Sequence, residues 1–169
     1  MNINTKFKSS NIQESLNEFK NRENILNELL NSKEYMYNDA YTQSRRADFF
    51  NLKDSCGIYH FFYIENDEKY SLYIGKASFG EKGNWCLSKR INQHFQESQR
   101  NTLPGKISSL SGCDIKKSTE LLCKYEVYVQ FYEIYIKDKC KKSYKDINKE
   151  IQVYEKFCIN ILRPIFTDK

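Results

Sequence analysis

The chain has 169 residues, enough for one domain whose core needs no disulfide staples. It carries 27 Lys and Arg against 22 Asp and Glu, and its 40% hydrophobic and 29% charged residues exclude a disordered chain. The net charge of +5 suits a polyanionic partner without requiring one, no run approaches the ~18 apolar residues of a membrane span, and the first twenty residues lack the apolar stretch of a secretory signal, so a reducing cytoplasm is the expected compartment.

In chain order, the first 50 residues balance seven basic with seven acidic side chains, so residues 51–169 carry the whole excess charge. Ile12, Leu16, Phe19, Leu26 and Leu30 recur at spacings near three, four and seven, which predicts an amphipathic helix over 10–31 docked on another element. Ser10 followed by Gln13 fits a capping box at its start. Residues 35–50 show no clear period, and Arg45 and Arg46 at their end read as a charged linker or as a pair that reaches base edges. Two β-rich runs, Gly57–Ile64 and Lys69–Gly75, flank a polar turn around Glu65–Glu68 and predict a hairpin. Its loop length matters. An odd loop centred on Asn66 sets Tyr59 opposite Tyr73 on one face, and an even loop puts the two rings on opposite faces.

A Gly-containing loop over Gly80–Trp85 is followed by a predicted helix from Leu87 to about Gln99, with Pro104 and Gly105 as its break and a short helix or irregular stretch beyond. Tyr125–Ile136 alternates as a third strand. Tyr144–Leu162 is the last helix, with Ile147, Ile151, Tyr154, Cys158 and Leu162 in one stripe and Arg163-Pro164 as its stop. These elements predict an α/β (α+β) fold: a small three-stranded antiparallel sheet flanked by helices, behind an N-terminal helical extension over residues 1–50.

Thirteen Tyr and eleven Phe are an unusual load, and packed core is the first use for such rings. The six cysteines, at 56, 86, 113, 123, 140 and 158, form no close C-x₂₋₄-C pair, so reduced thiols are expected rather than a structural zinc site. Lys137, Lys139, Lys141 and Lys142 form the densest basic run, read equally as a solvated loop and as phosphate contacts.

The predicted hairpin contains Gly57-Ile58-Tyr59 in its first strand and Tyr73-Ile74-Gly75 in its second. Lys76 follows directly, Arg90 and His94 stand four residues apart on a predicted helix, and Glu155 lies in the last helix ahead of Arg163-Pro164. Taken singly, each is an ordinary strand or helix residue. Together and in this order, they make residues 56–169 resemble the GIY-YIG nuclease family. The resemblance implies a nuclease domain over 51–169, with a three-stranded antiparallel sheet between helices.

The residue types also suit phosphodiester hydrolysis on chemical grounds, since that reaction needs an activated water, charge against the phosphoryl oxygens and help for the leaving oxygen. A tyrosine is a poor base at its usual pKa of about 10, and Lys76 and Arg90 beside it are expected to lower that value. Arg90 offers a planar fork to a phosphate, and His94 can move a proton near neutral pH. Glu155, a lone carboxylate, suits Mg²⁺, with Mn²⁺ as an alternative. The resemblance implies Tyr59 as general base with Tyr73 beside it.

Three departures from the family pattern stand out: a 13-residue gap between the tripeptides, the inserted stretch ASFGEKGNWCL after Gly75-Lys76, and Thr167 where family members commonly carry Asn. The function expected is a metal-dependent endonuclease acting on double-stranded DNA. A free-standing chain of this size points to a restriction-type enzyme, with a homodimer on a palindromic site as the matching assembly. A repair or structure-specific nuclease and a non-catalytic nucleic-acid-binding module are the alternatives.

Overall fold

A computed structural model describes residues 11–43, 49–50, 52, 55–80, 85–135 and 143–167. Ser10, Arg45, Arg46, Cys140 and the basic run Lys137–Lys142 lie outside the described residues.

Helix α1, Ile12–Leu30, is capped by Asn11, whose Oδ1 accepts from the Gln13 N–H at 2.8 Å. The predicted stripe is only partly a docking face. Leu26 and Leu29 are buried, with Ile25 beside them, whereas Ile12, Leu16 and Phe19 are 79%, 51% and 51% exposed. The helix thus anchors through its second half, and Phe19 touches only the edge of Phe157, with ring centroids 5.9 Å apart.

The chain then forms a two-residue strand β1, Tyr35–Met36, and a short helix α2, Tyr37–Gln43, across the stretch that shows no clear period in sequence. Strand β2, Ser55–Glu65, and strand β3, Glu68–Ala77, form the expected hairpin. Helix α3, Leu87–Asn92, tightens into a 3₁₀ turn over Gln93–Phe95 and stops well short of Gln99. Pro104 does not end that helix. It sits in the first turn of α4, Leu103–Ser111, where its missing N–H is not needed, and Thr102 caps the turn by accepting from the Gly105 N–H at 3.3 Å. Helix α5, Ile115–Lys124, strand β4, Val127–Tyr135, and helix α6, Tyr144–Leu162, complete the order.

The sheet has four strands in the order β1-β4-β2-β3, not the three expected. The additional strand is β1, antiparallel to β4 through Tyr35 and Met36. Two residues carry no readable alternation, so only pairing reveals it. Both β1 and α1 lie within residues 1–50, so that segment supplies a strand to the sheet and a helix to its cover.

The sheet is covered on both faces. Tyr59, Phe61, Val127, Val129 and Phe131 pack with residues of α2 to α5, including Tyr37, Leu87, Ile91, Leu103 and Leu122. Ile58 and Ile74 pack on the opposite face with Leu26 and Leu29 of α1 and Cys158 of α6. Burying a side chain such as Leu29 contributes about 2–3 kcal/mol. Rings dominate the first of these clusters, as the aromatic load suggests. Among the described residues no helix is long and apolar enough to cross a membrane.

The hairpin register is the decisive local feature. Asn66 and Asp67 form a two-residue turn with φ of 52° and 64°, the type I′ geometry that matches strand twist. Near the turn Phe62 pairs with Ser71, but beyond it Phe61 pairs with Tyr73 and Tyr59 with Gly75. Leu72 is therefore an extra residue on β3, a β-bulge. The turn is even, which alone would set Tyr59 and Tyr73 on opposite faces. The bulge restores the parity and returns both rings to one face. The segment after α6 supports it: Ile165 N–H donates to the Ser71 carbonyl at 3.1 Å and Phe166 N–H to the Leu72 carbonyl at 2.9 Å.

On the opposite face His60 is buried between Ser71 Oγ, 2.9 Å from Nε2, and Gln130 Nε2, 3.0 Å from Nδ1. Burial, and then the Lys69 charge, push its pKa down to about 4. A base whose folded pKa lies below its unfolded value of about 6.5 gives full stability above that value and loses it as pH falls toward the folded one. We expect urea denaturation to show roughly 3 kcal/mol lost on this account between pH 6.5 and 4. A His60→Gln variant should show a shallower fall over the same window.

Candidate active site

Tyr59 is fully buried under α3, and its hydroxyl is the meeting point of the site. A buried phenolic oxygen needs partners. Arg90 Nε donates to it at 3.1 Å from α3, and His94 Nε2 lies 3.1 Å away from the 3₁₀ turn. The second imidazole nitrogen decides the tautomer: Nδ1 accepts the Leu103 N–H at 3.1 Å, so in the neutral ring the proton is on Nε2 and points at Tyr59. The Tyr59 oxygen thus receives two N–H donors, and the Tyr73 hydroxyl favours its charged form as well. The Tyr59 and Tyr73 ring centroids are 6.1 Å apart, and the His94 ring lies 5.1 Å from Tyr59 and 5.6 Å from Tyr73.

Two electrostatic expectations are overturned. The Tyr59 pKa does not fall. Burial raises it to about 12, and Arg90 and Tyr73 offset only part of that, while the Glu155 charge adds to the rise. Nor does His94 titrate near neutrality. Burial, then the charges of Arg90 and Lys106, hold it well below its usual value, so it is a neutral N–H donor rather than a proton carrier. Both corrections have one cause, desolvation outweighing nearby charge.

Arg90 is half-buried. Besides Tyr59 it donates through Nη1 to Gln93 Oε1 at 2.7 Å and through Nη2 to the Asn101 carbonyl at 3.1 Å. Most of its fork is therefore committed to protein acceptors. Burial opposes its charge, but the phenolic oxygens of Tyr59 and Tyr73 more than compensate and raise its pKa.

Lys76 and Glu155 approach from the other side. Lys76 pairs with Ile58 in the register, so it leaves the face of the sheet opposite to Tyr59, toward α6. There Nζ meets Glu155 Oε2 at 2.6 Å, with the Glu155 side chain only 13% exposed. The two groups of residues meet around β3 because it is an edge strand. Tyr73, Lys76, Ser78, Trp85, Arg90 and Glu155 line one cleft of about 330 Å³. All six residues expected from the sequence thus gather within a single neighbourhood, four on one face of the sheet and two on the other.

Several contributors carried no sequence signal. Leu103 sets the His94 tautomer through its N–H, and Tyr37 OH donates to the His94 carbonyl at 3.2 Å. Lys106 stands 5.6 Å from the Tyr73 ring centroid and donates to the Thr167 carbonyl at 3.3 Å. That contact uses only the backbone of Thr167, which any residue would provide, and makes no use of the side chain by which this chain departs from the family pattern. Trp85 and Ser78 both lie in the inserted stretch.

The donor set can be compared with what a divalent cation requires. Among the described residues no three His, Cys, Asp or Glu side chains come together as ligands. Mg²⁺ does not demand such a cage, since it keeps several waters and takes phosphate oxygens beside one or two carboxylates. Glu155, a hard oxygen donor on the wall of a cleft that Ser78 also lines, fits that pattern. Compared with family models, curated proteins and solved structures, the chain matches none.

The glycine of the second tripeptide has a steric reason. A Cβ on Gly75 would overlap the Tyr59 hydroxyl and the adjoining ring carbon. We expect Gly75→Ala to displace Tyr59 from Arg90 and His94 and to lower stability by about 1–3 kcal/mol in thermal denaturation. Unchanged stability would mean that the ring is not held as described.

Proposed function

We propose that this protein is a metal-dependent endonuclease that hydrolyses DNA phosphodiester bonds, as a site-specific restriction-type enzyme working on duplex DNA as a homodimer. The observation that carries the reading is the gathering of Tyr73, Lys76, Arg90 and Glu155 on one cleft, with Tyr59 and His94 buried behind it and joined to it through Arg90. They follow the order in which GIY-YIG nucleases, which the chain resembles, carry their motifs.

In hydrolysis a water oxygen bonds to phosphorus, the bond to the leaving oxygen breaks, the water gives up a proton and the leaving oxygen gains one. With a pKa of about 12, Tyr59 holds its proton at pH 7 in all but about one molecule in 10⁵. It is therefore a positioning group in the resting protein; only its phenolate, formed by releasing that proton to solvent, takes the proton of the attacking water, and the leaving oxygen gains its proton from solvent. Arg90 Nε–H and His94 Nε2–H, already aimed at its oxygen, stabilise that charge as an oxyanion hole does. Lys76 and the remaining reach of Arg90 place positive charge on the cleft wall against the phosphoryl oxygens. Mg²⁺ held by Glu155 would add charge there and offset the carboxylate's part, smaller than that of burial, in the raised Tyr59 pKa.

Two observations favour a second reading, a non-catalytic nucleic-acid-binding module. Tyr59 is buried with a raised pKa, and Lys76 already closes on Glu155. Plasmid cleavage separates the two. We expect discrete bands with wild type and Mg²⁺, and a rate about a hundredfold or more lower for Glu155→Ala, with Glu155→Gln, which can still accept from Lys76, as the variant that keeps the melting temperature. Salt-sensitive binding without cleavage of supercoiled, linear or branched DNA would establish the module instead, and preferential cutting of branched DNA would move the role to repair. Because His94 stays neutral and Tyr59 alone remains to lose a proton, the rate should keep rising from pH 7 to 10 rather than level off near 7.

A further inference from the structure

We infer that Trp85 is the base-contacting residue of the cleft, taking an unstacked nucleobase beside the phosphodiester held at Lys76 and Arg90. The inference deepens the nuclease reading and rests on it for the place of the phosphate. Trp85 shares the cleft wall with Tyr73, Lys76, Ser78, Arg90 and Glu155, immediately before α3. Its backbone is pinned, since its carbonyl accepts from Cys56 Sγ at 3.5 Å and Leu87, two residues on, is fully buried. The ring is half-buried, yet it belongs to none of the three core clusters. Among the described residues it meets no other aromatic ring and its indole N–H has no acceptor.

An indole held by its backbone, unused by the core and set beside two cations presents the combination that single-stranded nucleic acid requires, a stacking face next to phosphate-binding charge. The cleft volume sets the substrate class. About 330 Å³ is near the lower limit of ligand pockets, with room for one nucleotide but not for a stacked base pair. A base can reach Trp85 only by leaving the helix, which is easiest where it is unpaired or mismatched or lies at a flexible step. The cleft thus selects DNA that can release a nucleotide next to the scissile phosphate.

Trp85 is the only tryptophan of the chain, so its emission reports on this ring alone. The wild-type chain in EDTA is titrated with a short duplex bearing one unpaired nucleotide and with its fully paired counterpart. Cleavage of both is then measured with Mg²⁺ for wild type, Trp85→Phe and Trp85→Ala. We expect quenching on binding, stronger with the unpaired nucleotide, near-normal binding for Trp85→Phe, and binding about tenfold or more weaker for Trp85→Ala. Emission unchanged at saturating DNA, or Trp85→Ala binding both duplexes as wild type does, overturns the inference. Quenching without cleavage by wild type upholds Trp85 and removes the nuclease reading, and cleavage without quenching does the reverse. Failure to bind either duplex removes both.

Discussion

A phenol buried beneath a sheet must have its oxygen hydrogen-bonded, and the site depends on how Tyr59 meets that requirement. Its donors, Arg90 and His94, come from the segment that crosses the sheet more than thirty residues later. That segment must be held as firmly as the strand. The Leu103 N–H on His94 Nδ1 and the Tyr37 hydroxyl on the His94 carbonyl hold it, so the start of α4 and the early helix α2 both support the imidazole. Residues before position 50 therefore help to build the site.

Strand geometry is the second constraint. With β3 at the edge of the sheet, side chains leaving its two faces can meet around it, and Tyr73 and Lys76 line one cleft although they point to opposite faces. The bulge at Leu72 decides which residues those are, because each residue of slip exchanges the faces. The chain after α6 holds the bulge by bonding the Ser71 and Leu72 carbonyls, and Phe166 pairs in parallel with Tyr73. The turn at Arg163, in the left-handed region with φ of 46°, sends it there.

Burial sets the electrostatics more than charge does. Two cations near a tyrosine suggest a lowered pKa, yet desolvation dominates and raises it. The same effect keeps His94 neutral. A neutral donor and a guanidinium converge on a phenol that keeps its proton, so its oxygen bears no negative charge at rest. They are arranged for charge that arrives later, which is the condition for preorganised stabilisation rather than for a resident base.

Local pattern determined much of this protein. Alternation and turn residues defined the hairpin and β4, the apolar stripe and the Arg163-Pro164 stop defined α6, and ordered motifs picked out four side chains that line the cleft and two, Tyr59 and His94, buried behind it. Tertiary structure decided the rest, because it depends on contacts between distant residues. Strand β1 is too short to carry a period and exists through its pairing with β4. Ile12, Leu16 and Phe19 share the spacing of the buried Leu26 yet stay exposed, since burial depends on what packs against the helix. The face shared by Tyr59 and Tyr73 required both an even turn and a bulge, and no local pattern marks the bulge. The tautomer of His94 and the pKa of Tyr59 depend on a backbone N–H and on a depth of burial that only the assembled layers create.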